Sequence, residues 1–226
     1  MHPPIGNLVG SPIGQPIGAP SDEQLMQAYD AGDMAAFDAL YTRHEGRLFR
    51  FVKRVLGAGM AAQADDVFQD CWLRVVTARA SFSPERGRWT TWAYTIAHNL
   101  AMDRLRTSGR EVSWGVVTES EPSPTDDADA LAWLQTSLDT SAETSHPATD
   151  DLAHWRAAGH QLLHCLDELP ALQRAAFLLH HEDGASVQEL ARTLGLEFET
   201  AKSRLRYALQ KLRACMRAYL SGWEAA

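Results

Sequence analysis

The stretch Ala-Ser-Val-Gln-Glu-Leu-Ala-Arg-Thr-Leu-Gly-Leu at residues 185–196, followed by Glu-Phe-Glu-Thr-Ala-Lys-Ser-Arg-Leu-Arg-Tyr-Ala-Leu at 197–209, decides how this chain is read. Ser186 and Glu189 stand three apart, the spacing at which a hydroxyl and a carboxylate each satisfy a free amide at a helix start. Val187, Leu190, Ala191 and Leu194 then form one apolar stripe, and Gly195 permits a tight turn. A second helix begins near Glu199 and runs past Leu212, with Ala201, Leu205, Ala208, Leu209 and Leu212 inward. This layout is a helix-turn-helix, whose second helix enters the major groove of DNA. Thr200, Lys202, Ser203, Arg204, Arg206 and Tyr207 gather at its start, where hydroxyls and guanidinium groups reach phosphates or base edges. A plain four-helix bundle with a solvated basic helix is the bland alternative. The coincidence of cap, turn and basic start favours DNA.

Upstream of this stretch, helical periodicity covers about 152–169 and 171–181. Residues 107–150 are rich in Ser, Thr, Pro and Asp and read as a linker, within which Leu131, Trp133, Leu134 and Leu138 fit one short amphipathic helix. The first 20 residues contain Pro-Ile-Gly three times, at Pro4, Pro12 and Pro16, so an irregular tail is expected. From Asp22 the texture turns helical. Asp33 is a good N-cap, and Phe37, Leu40, Tyr41, His44, Leu48, Phe51 and Val55 recur until Gly57 and Gly59. A second helix at about 61–80 buries Ala64, Val67, Phe68, Cys71, Val75 and Ala78. After a turn at 83–87, a third runs from about Arg88 to Arg106, with Trp89, Trp92, Ala93, Ile96 and Leu100 inward. No segment alternates with period two for long enough to form a strand.

The expected fold is therefore all-α, with two small helical domains joined by a flexible acidic linker. A disordered Pro/Gly tail spans 1–20, a first domain 21–108, the linker 109–151, a second domain 152–219 and a short tail 220–226. At 226 residues, 45% hydrophobic and 22% charged, the chain is long enough to bury a core in each domain. No apolar run reaches the roughly 18 residues of a membrane span, and the start lacks the basic and apolar regions of a secretory signal, so a soluble cytoplasmic protein without membrane insertion is expected. Cys71, Cys165 and Cys215, odd in number and widely spaced, argue against a disulfide scaffold or a Cys-based zinc module.

The net charge of −8 hides an uneven distribution. Residues 21–110 carry 12 Lys and Arg against 11 Asp and Glu, residues 111–151 carry 10 acids and no Lys or Arg, and residues 152–226 carry 9 basic against 8 acidic residues. The global charge argues against a nucleic-acid partner; the segmental charge does not.

Two further faces of the first domain hold candidate residues. On the third helix, Thr91, Tyr94, Thr95, His98 and Met102 form a stripe opposite the tryptophans. Preceded by Arg86 and Arg88, these side chains suit unstacked single-stranded bases and their phosphates, although a semi-polar solvent face has the same pattern. Asn99 and Asp103 read as structural hydrogen-bonding residues at its edge. On the second helix, Asp66, Gln69, Asp70, Leu73 and Thr77 face outward, and a leucine exposed among acids hints at a protein partner.

The motifs Asp65-Asp66-Val-Phe-Gln69-Asp-Cys-Trp-Leu73, Phe82-Ser-Pro-Glu-Arg86-Gly87 and Trp92-Ala-Tyr-Thr-Ile96-Ala-His-Asn99-Leu-Ala-Met-Asp103-Arg-Leu-Arg106 resemble region 2 of a bacterial sigma factor. Leu169-Pro170-x-x-Gln173-Arg174, with Glu189-Leu-Ala191-x-x-Leu-Gly195 and Thr200-Ala-Lys202-Ser203-Arg204-Leu205, resembles region 4. Both sets occur in order across about 22–108 and 155–217, a layout similar to the extracytoplasmic-function (group IV) sigma factors of the sigma-70 family. The resemblance implies a non-enzymatic alternative sigma factor that binds core RNA polymerase and directs promoter-specific initiation. It implies that Asp66, Gln69, Asp70 and Leu73 bind the clamp helices of the largest polymerase subunit. Arg86, Arg88, Thr91, Tyr94, Thr95 and His98 would then bind the minus-10 element as it melts. Thr200, Lys202, Ser203, Arg204, Arg206 and Tyr207 would read the minus-35 element in duplex form, in a domain that also touches the polymerase flap. An anti-sigma factor enters as a partner on the same ground, and no cofactor is implied.

Two other classes compete. A helix-turn-helix regulator acting without polymerase has no need of the exposed Asp66, Gln69, Asp70 and Leu73 set. A metal protein or enzyme would have to use His160, His164, Cys165, His180 and His181, yet His160-Gln-Leu-Leu-His164 lacks the adjacent Glu of a zinc protease. No Gly-rich phosphate loop or nucleophile elbow is present, and no metal is expected.

Overall fold

Ser21 opens the first helix with a capping box: its Oγ accepts from the Gln24 amide, and the Gln24 side chain accepts from the Ser21 amide. In this computed structural model, which describes residues 19–109 and 149–224, every regular element among those residues is helical. Helix α1 (Asp22–Asp30) turns at Gly32 into α2 (Met34–Leu56), capped by the Asp33 carboxylate, which accepts from Ala35 N–H at 2.9 Å. The buried stripe of α2 is Ala36, Leu40, His44, Leu48, Phe51, Val52, Val55 and Leu56. Each large apolar member contributes about 1.5–3 kcal/mol by leaving water. Gly57, at φ 76°, ends the helix.

A 3₁₀ segment over 58–63 leads into α3 (Ala64–Thr77), so this helix starts three residues later than its sequence pattern suggests. Helix α4 (Trp89–Thr107) follows two short 3₁₀ turns. Its first amide is satisfied from outside, because Trp89 N–H donates to the Glu23 carboxylate at 2.9 Å. Asp22 joins α1 to α2 through Arg43 at 2.5 Å and His44 at 2.9 Å. Burial pushes the Asp22 carboxyl up, but His44 and then Arg43 outweigh it and hold the group below its usual value. Phe37, Tyr41, Phe68, Trp72 and Trp89 form a continuous aromatic cluster between these helices.

The second block comprises α5 (Thr149–Asp167), α6 (Ala171–Glu182), α7 (Val187–Leu194) and α8 (Phe198–Glu224). Helices α5, α6 and α7 all pack on α8. Because α8 continues to Glu224, the tail expected from residue 220 is helical over its first five residues. The reading against disulfides is also corrected: Cys165 on α5 and Cys215 on α8 are bonded, with Cα atoms 6.0 Å apart. The two are 50 residues apart in sequence, and only the crossing of α5 and α8 makes them neighbours. The tail over 1–18 and the linker, including Leu131, Trp133, Leu134 and Leu138, lie outside the described residues.

The two blocks meet along α2 against α6 and α4 against α7. Arg174, buried on α6, donates to Val55 O at the C-terminus of α2 (2.9 Å) and to Asp167 Oδ1 within its own block (3.3 Å). Ala58 N–H donates to the same Asp167 oxygen at 3.3 Å, and Arg54 forms an ion pair with Glu182.

Candidate nucleic-acid interface

Helix α7 is built as its sequence foretells. The Ser186 hydroxyl accepts from Glu189 N–H at 3.3 Å, and the Glu189 carboxylate accepts from Ser186 N–H at 2.9 Å. Gly195 adopts the left-handed conformation (φ 64°, ψ 40°), where a side chain would be strained. Leu196 N–H then reaches Ala191 O at 2.8 Å and Gly195 N–H reaches Arg192 O at 3.3 Å, which together close the helix end. Leu190, Ala191 and Leu194 bury against Ala201, Leu205 and Ala208 of α8, so the two helices are held by an apolar seam.

On the first turns of α8, Lys202 is exposed and pairs with Glu199 at 4.0 Å. Thr200, Ser203, Arg206 and Tyr207 are half-buried, and the Lys211 ammonium lies 5.5 Å from the Tyr207 ring centroid. Arg204 departs from expectation. It is 8% exposed, its Nη1 has no hydrogen-bond partner, and burial lowers the basicity of its guanidinium.

Helix α4 departs further. Its buried positions are Trp89, Ala93, Tyr94, Ala97, His98, Ala101, Met102 and Leu105, whereas Trp92, Ile96 and Leu100 are only half-buried. The stripe read as open is thus an inner one. The tryptophans misled the reading because the small residues 93, 97 and 101 set the close-packed side, and because α4 is covered on two sides, by α2 and α3 and by α7.

Tyr94 is 2% exposed, its ring edge-on to Phe51 at 4.9 Å, and its hydroxyl has no partner. Burial and the nearby Asp183 charge push its phenol above its usual value. His98 is 4% exposed; burial lowers its pKa to about 4, with the Arg106 and Arg204 charges in the same direction and the Asn99 hydrogen bond opposed. It is therefore neutral at pH 7, and its Nε2 is unpartnered. Thr91 Oγ1 is likewise buried without a partner, and the Thr95 hydroxyl donates back to Thr91 O at 2.7 Å. Arg86 is exposed. Arg88 is occupied: its Nε meets Glu189 at 2.6 Å and its Nη2 meets Asp183 at 3.7 Å. Burial holds the Asp183 carboxyl up at about 6 despite Arg88, His44 and Arg47.

The outer face of α4 instead presents Asn99 and Asp103, with half-buried Trp92 and Ile96 beside them. Trp92 lies 5.6 Å from Phe82. Sequence reasoning placed Asn99 and Asp103 in a structural role; the i, i+4, i+7, i+11 spacing from Trp92 was the available signal for an outer stripe. On α3, Asp66, Gln69, Asp70 and Leu73 are all exposed, Leu73 at 62%. Asp70 touches Arg104 only at 3.9 Å.

Of the candidate metal ligands, Cys165 is in the disulfide, His180 Nδ1 is hydrogen-bonded to Ala185 O at 2.8 Å, His164 lies 3.7 Å from Glu168, the His181 ring lies 4.4 Å from that of Phe177, and His160 is exposed. No helix of the described residues is long and apolar enough to cross a membrane.

Comparison with known proteins agrees with this architecture. The family model for Sigma-70 region 2 matches residues 40–111, and that for Sigma-70, region 4 matches residues 159–212. The ECF RNA polymerase sigma factor SigE of Mycolicibacterium smegmatis is 30% identical over 198 residues, 85% of this chain and 68% of the relative. SigK of Mycolicibacterium vanbaalenii, also described as an ECF RNA polymerase sigma factor, is 29% identical over 216 residues, 92% of this chain and 96% of the relative. Among solved structures, CnrH in complex with the cytosolic domain of CnrY aligns with a TM-score of 0.56 at 21% identity, over 87% of this chain and 97% of that one. The sigma factor RpoE of Bartonella quintana, solved with the anti-sigma factor NepR, aligns at 0.54 and 20% identity, over 80% and 96%.

Proposed function

The chain belongs to the ECF RNA polymerase sigma factors, and from that premise we propose how its two blocks divide the work of promoter-specific initiation. Such a protein binds core RNA polymerase and directs it to promoters without catalysis of its own. The block over 21–108 takes the role of region 2, and that over 152–219 the role of region 4. Residues 109–151 connect them, and group IV is the matching division of the sigma-70 family.

Asp66, Gln69, Asp70 and Leu73 form the core-polymerase contact. The supporting observation is an exposed leucine near the exposed carboxylates of Asp66 and Asp70, on a helix whose opposite face is buried, a surface suited to a basic, partly apolar partner. Thr200, Lys202, Ser203, Arg206 and Tyr207, with Arg204 once it is uncovered, read the minus-35 duplex from the recognition helix. Arg86, Arg88, Thr91, Thr95 and His98 meet the minus-10 strand, joined by Trp92 and Asn99 on the outer face of α4, where an aromatic ring can stack on an unpaired base. Tyr94, held by Phe51, supports that face from within. An anti-sigma factor is the expected inhibitory partner, and the cytoplasm is where such a chain meets its polymerase.

The observation that carries this reading is the capped, Gly195-turned helix pair following a separate bundle with the open α3 face. Run-off transcription with core polymerase on genomic promoter fragments tests it: discrete transcripts that depend on this chain are expected. Duplex binding with no association to core would instead leave a regulator that acts without polymerase.

A further inference from the structure

An apolar groove of about 650 Å³ runs between α5, α6 and α8 of the second block. Leu162, Leu166, Phe177, Leu212 and Met216 line it. Leu163 and Leu220 belong to the same wall and are 41% and 47% exposed. Trp155, 64% exposed, stands four residues before Gly159 and continues that face of α5 toward the helix start. Apolar side chains scattered singly over a surface are ordinary, whereas a contiguous set marks a place of interaction. The rim is basic: Arg54, Arg156 and Arg213 stand against one carboxylate, Glu182, which Arg54 pairs. His181 sets a polar point in the wall. Its Nε2 is buried without a hydrogen-bond partner, and burial, with the His180 charge, lowers its pKa to about 4, so the ring is neutral at pH 7. Neither the DNA contacts nor the α3 face uses these groups.

The chain carries a segment of matching chemistry that those contacts also leave unused. Leu131, Leu134 and Leu138 stand at i, i+3 and i+7 with Trp133 beside them, the anchor spacing of a helix laid into a groove. Asp126, Asp127 and Asp129 precede this stripe, Asp139 and Glu143 follow it, and residues 111–151 contain no Lys or Arg. An apolar stripe flanked by carboxylates is the complement of an apolar groove rimmed by guanidinium groups. The reach is sufficient. Residues 139–148 can span up to about 36 Å when extended. Helix α5 rises only about 21 Å from Thr149 to Leu163, so the segment can return along α5 to the groove.

We propose that residues 131–138 of the linker seat in this groove, with their leucines against the apolar side chains of α5 and α8 and their acidic flanks toward Arg156 and Arg213. Because the segment is tethered, modest intrinsic affinity is enough. A groove that binds the free peptide at about 100 µM is filled roughly ten to one by a tethered copy at an effective concentration on the order of 1 mM. Residues 110–130 are then the length of chain that joins the two blocks. The inference is independent of which promoter elements the chain reads.

Hydrogen exchange of the full-length chain tests it, comparing wild type with the linker variant Leu131→Glu, Leu134→Glu, Leu138→Glu and with the groove variant Leu163→Glu. Ten-to-one seating slows exchange of the seated amides about tenfold. That protection over 131–138 is expected in wild type and lost in both variants, with exchange in α1–α4 unchanged. A labelled peptide of residues 126–143 should bind the linker variant roughly tenfold more tightly than wild type, whose groove is already filled. Its binding should weaken with salt and vanish when Leu163→Glu is added to the linker variant. Unprotected amides over 131–138 in wild type overturn the proposal, and equal peptide affinity for wild type and linker variant does the same. Protection that survives Leu163→Glu puts the segment elsewhere and overturns the groove as its seat. Unprotected 131–138 amides together with a concentration-dependent dimer that Leu163→Glu abolishes would give the groove to a second copy of the chain. Should Leu163→Glu lose helicity, the exposed Arg156→Glu replaces it: a loss of protection at low salt supports the seating, and wild-type protection overturns the charge-matched docking.

Discussion

Gly57 concentrates more constraint than any neighbouring residue. Its φ of 76° is one that side chains rarely adopt, and a Cβ would stand 2.9 Å from Arg174 Nη1 and 3.1 Å from Asp167 Oδ1. Gly57→Ala should therefore destabilise the chain by about 1–2 kcal/mol through backbone strain, with more lost if Arg174 is displaced, as read in a thermal or urea melt. A stability equal to wild type would mean that the α2–α6 junction does not form as described.

Titration gives a second residue-scale expectation. His98 and His181 are each lowered by burial from 6.5 to about 4, so the stability they lend is present above about pH 6.5 and drains as pH falls toward 4. Asp183 runs the other way. Raised by burial to about 6, it favours the folded form below the ordinary carboxylate range, and that contribution is lost as pH rises through 6. Between about pH 5 and 6 two histidines oppose one carboxylate, and stability should fall on acidification. Asp183→Asn removes the opposing group and should steepen that fall by up to about 1.4 kcal/mol per pH unit. Urea midpoints across this range check it; a slope no steeper than wild type would contradict the burial of Asp183. Residues whose partners are close in sequence were legible, as Ser186 with Glu189 and Asp33 with Ala35 show. Arg204 was not: it is 8% exposed, yet its neighbours in sequence, Lys202, Ser203 and Arg206, read as an open basic helix start.

Among the elements, α4 and α8 show what periodicity conveys and what it omits. A helical wheel finds an apolar side when one side is buried, and α2 and α7 obey it. Helix α4 is covered by its own bundle and by α7, so its polar Tyr94 and His98 are as buried as its alanines, and the half-exposed Trp92 and Ile96 look like core. The disulfide between α5 and α8 was hidden for a similar reason: helix crossing, not spacing, brings Cys165 to Cys215. It closes a loop of 50 residues, for which chain entropy gives a stabilisation of up to about 4 kcal/mol. Reduction should thus lower the urea midpoint of the second block, and the Cys165→Ser, Cys215→Ser double variant should match the reduced wild type. Thiol labelling of the oxidised native chain should find nothing to react with, because Cys71 is fully buried and its thiol is pushed up to about 12. Rapid labelling at Cys71, or a reduced chain as stable as the oxidised one, would refute these assignments.

On the scale of the whole molecule, the blocks meet along α2 against α6 and α4 against α7, and the Asp66, Gln69, Asp70 and Leu73 face of α3 stays exposed. Charge reversal on α3 can therefore test the core contact without disturbing the rest. Asp66 and Asp70 are exposed, and Asp70 meets Arg104 at 3.9 Å in a pair that is itself largely solvated. Such a pair contributes little, so Asp66→Lys with Asp70→Lys should shift the melting temperature by no more than about 2 °C for a chain of this size. The two substitutions nevertheless turn two negative charges positive, a change of four units, on the face proposed to meet polymerase. Association with core should slow, affinity should drop by roughly tenfold or more, and the loss should be greatest at low salt, where screening is weakest. Compactness of the free chain and its binding to duplex should stay at wild-type levels, since neither residue lies at the junction of the blocks. Leu73→Ala supplies the apolar half of the test, weakening core binding with no salt dependence of its own. Unchanged core affinity in both variants would remove α3 from the polymerase contact, and a change in duplex binding would show that the two faces are not independent.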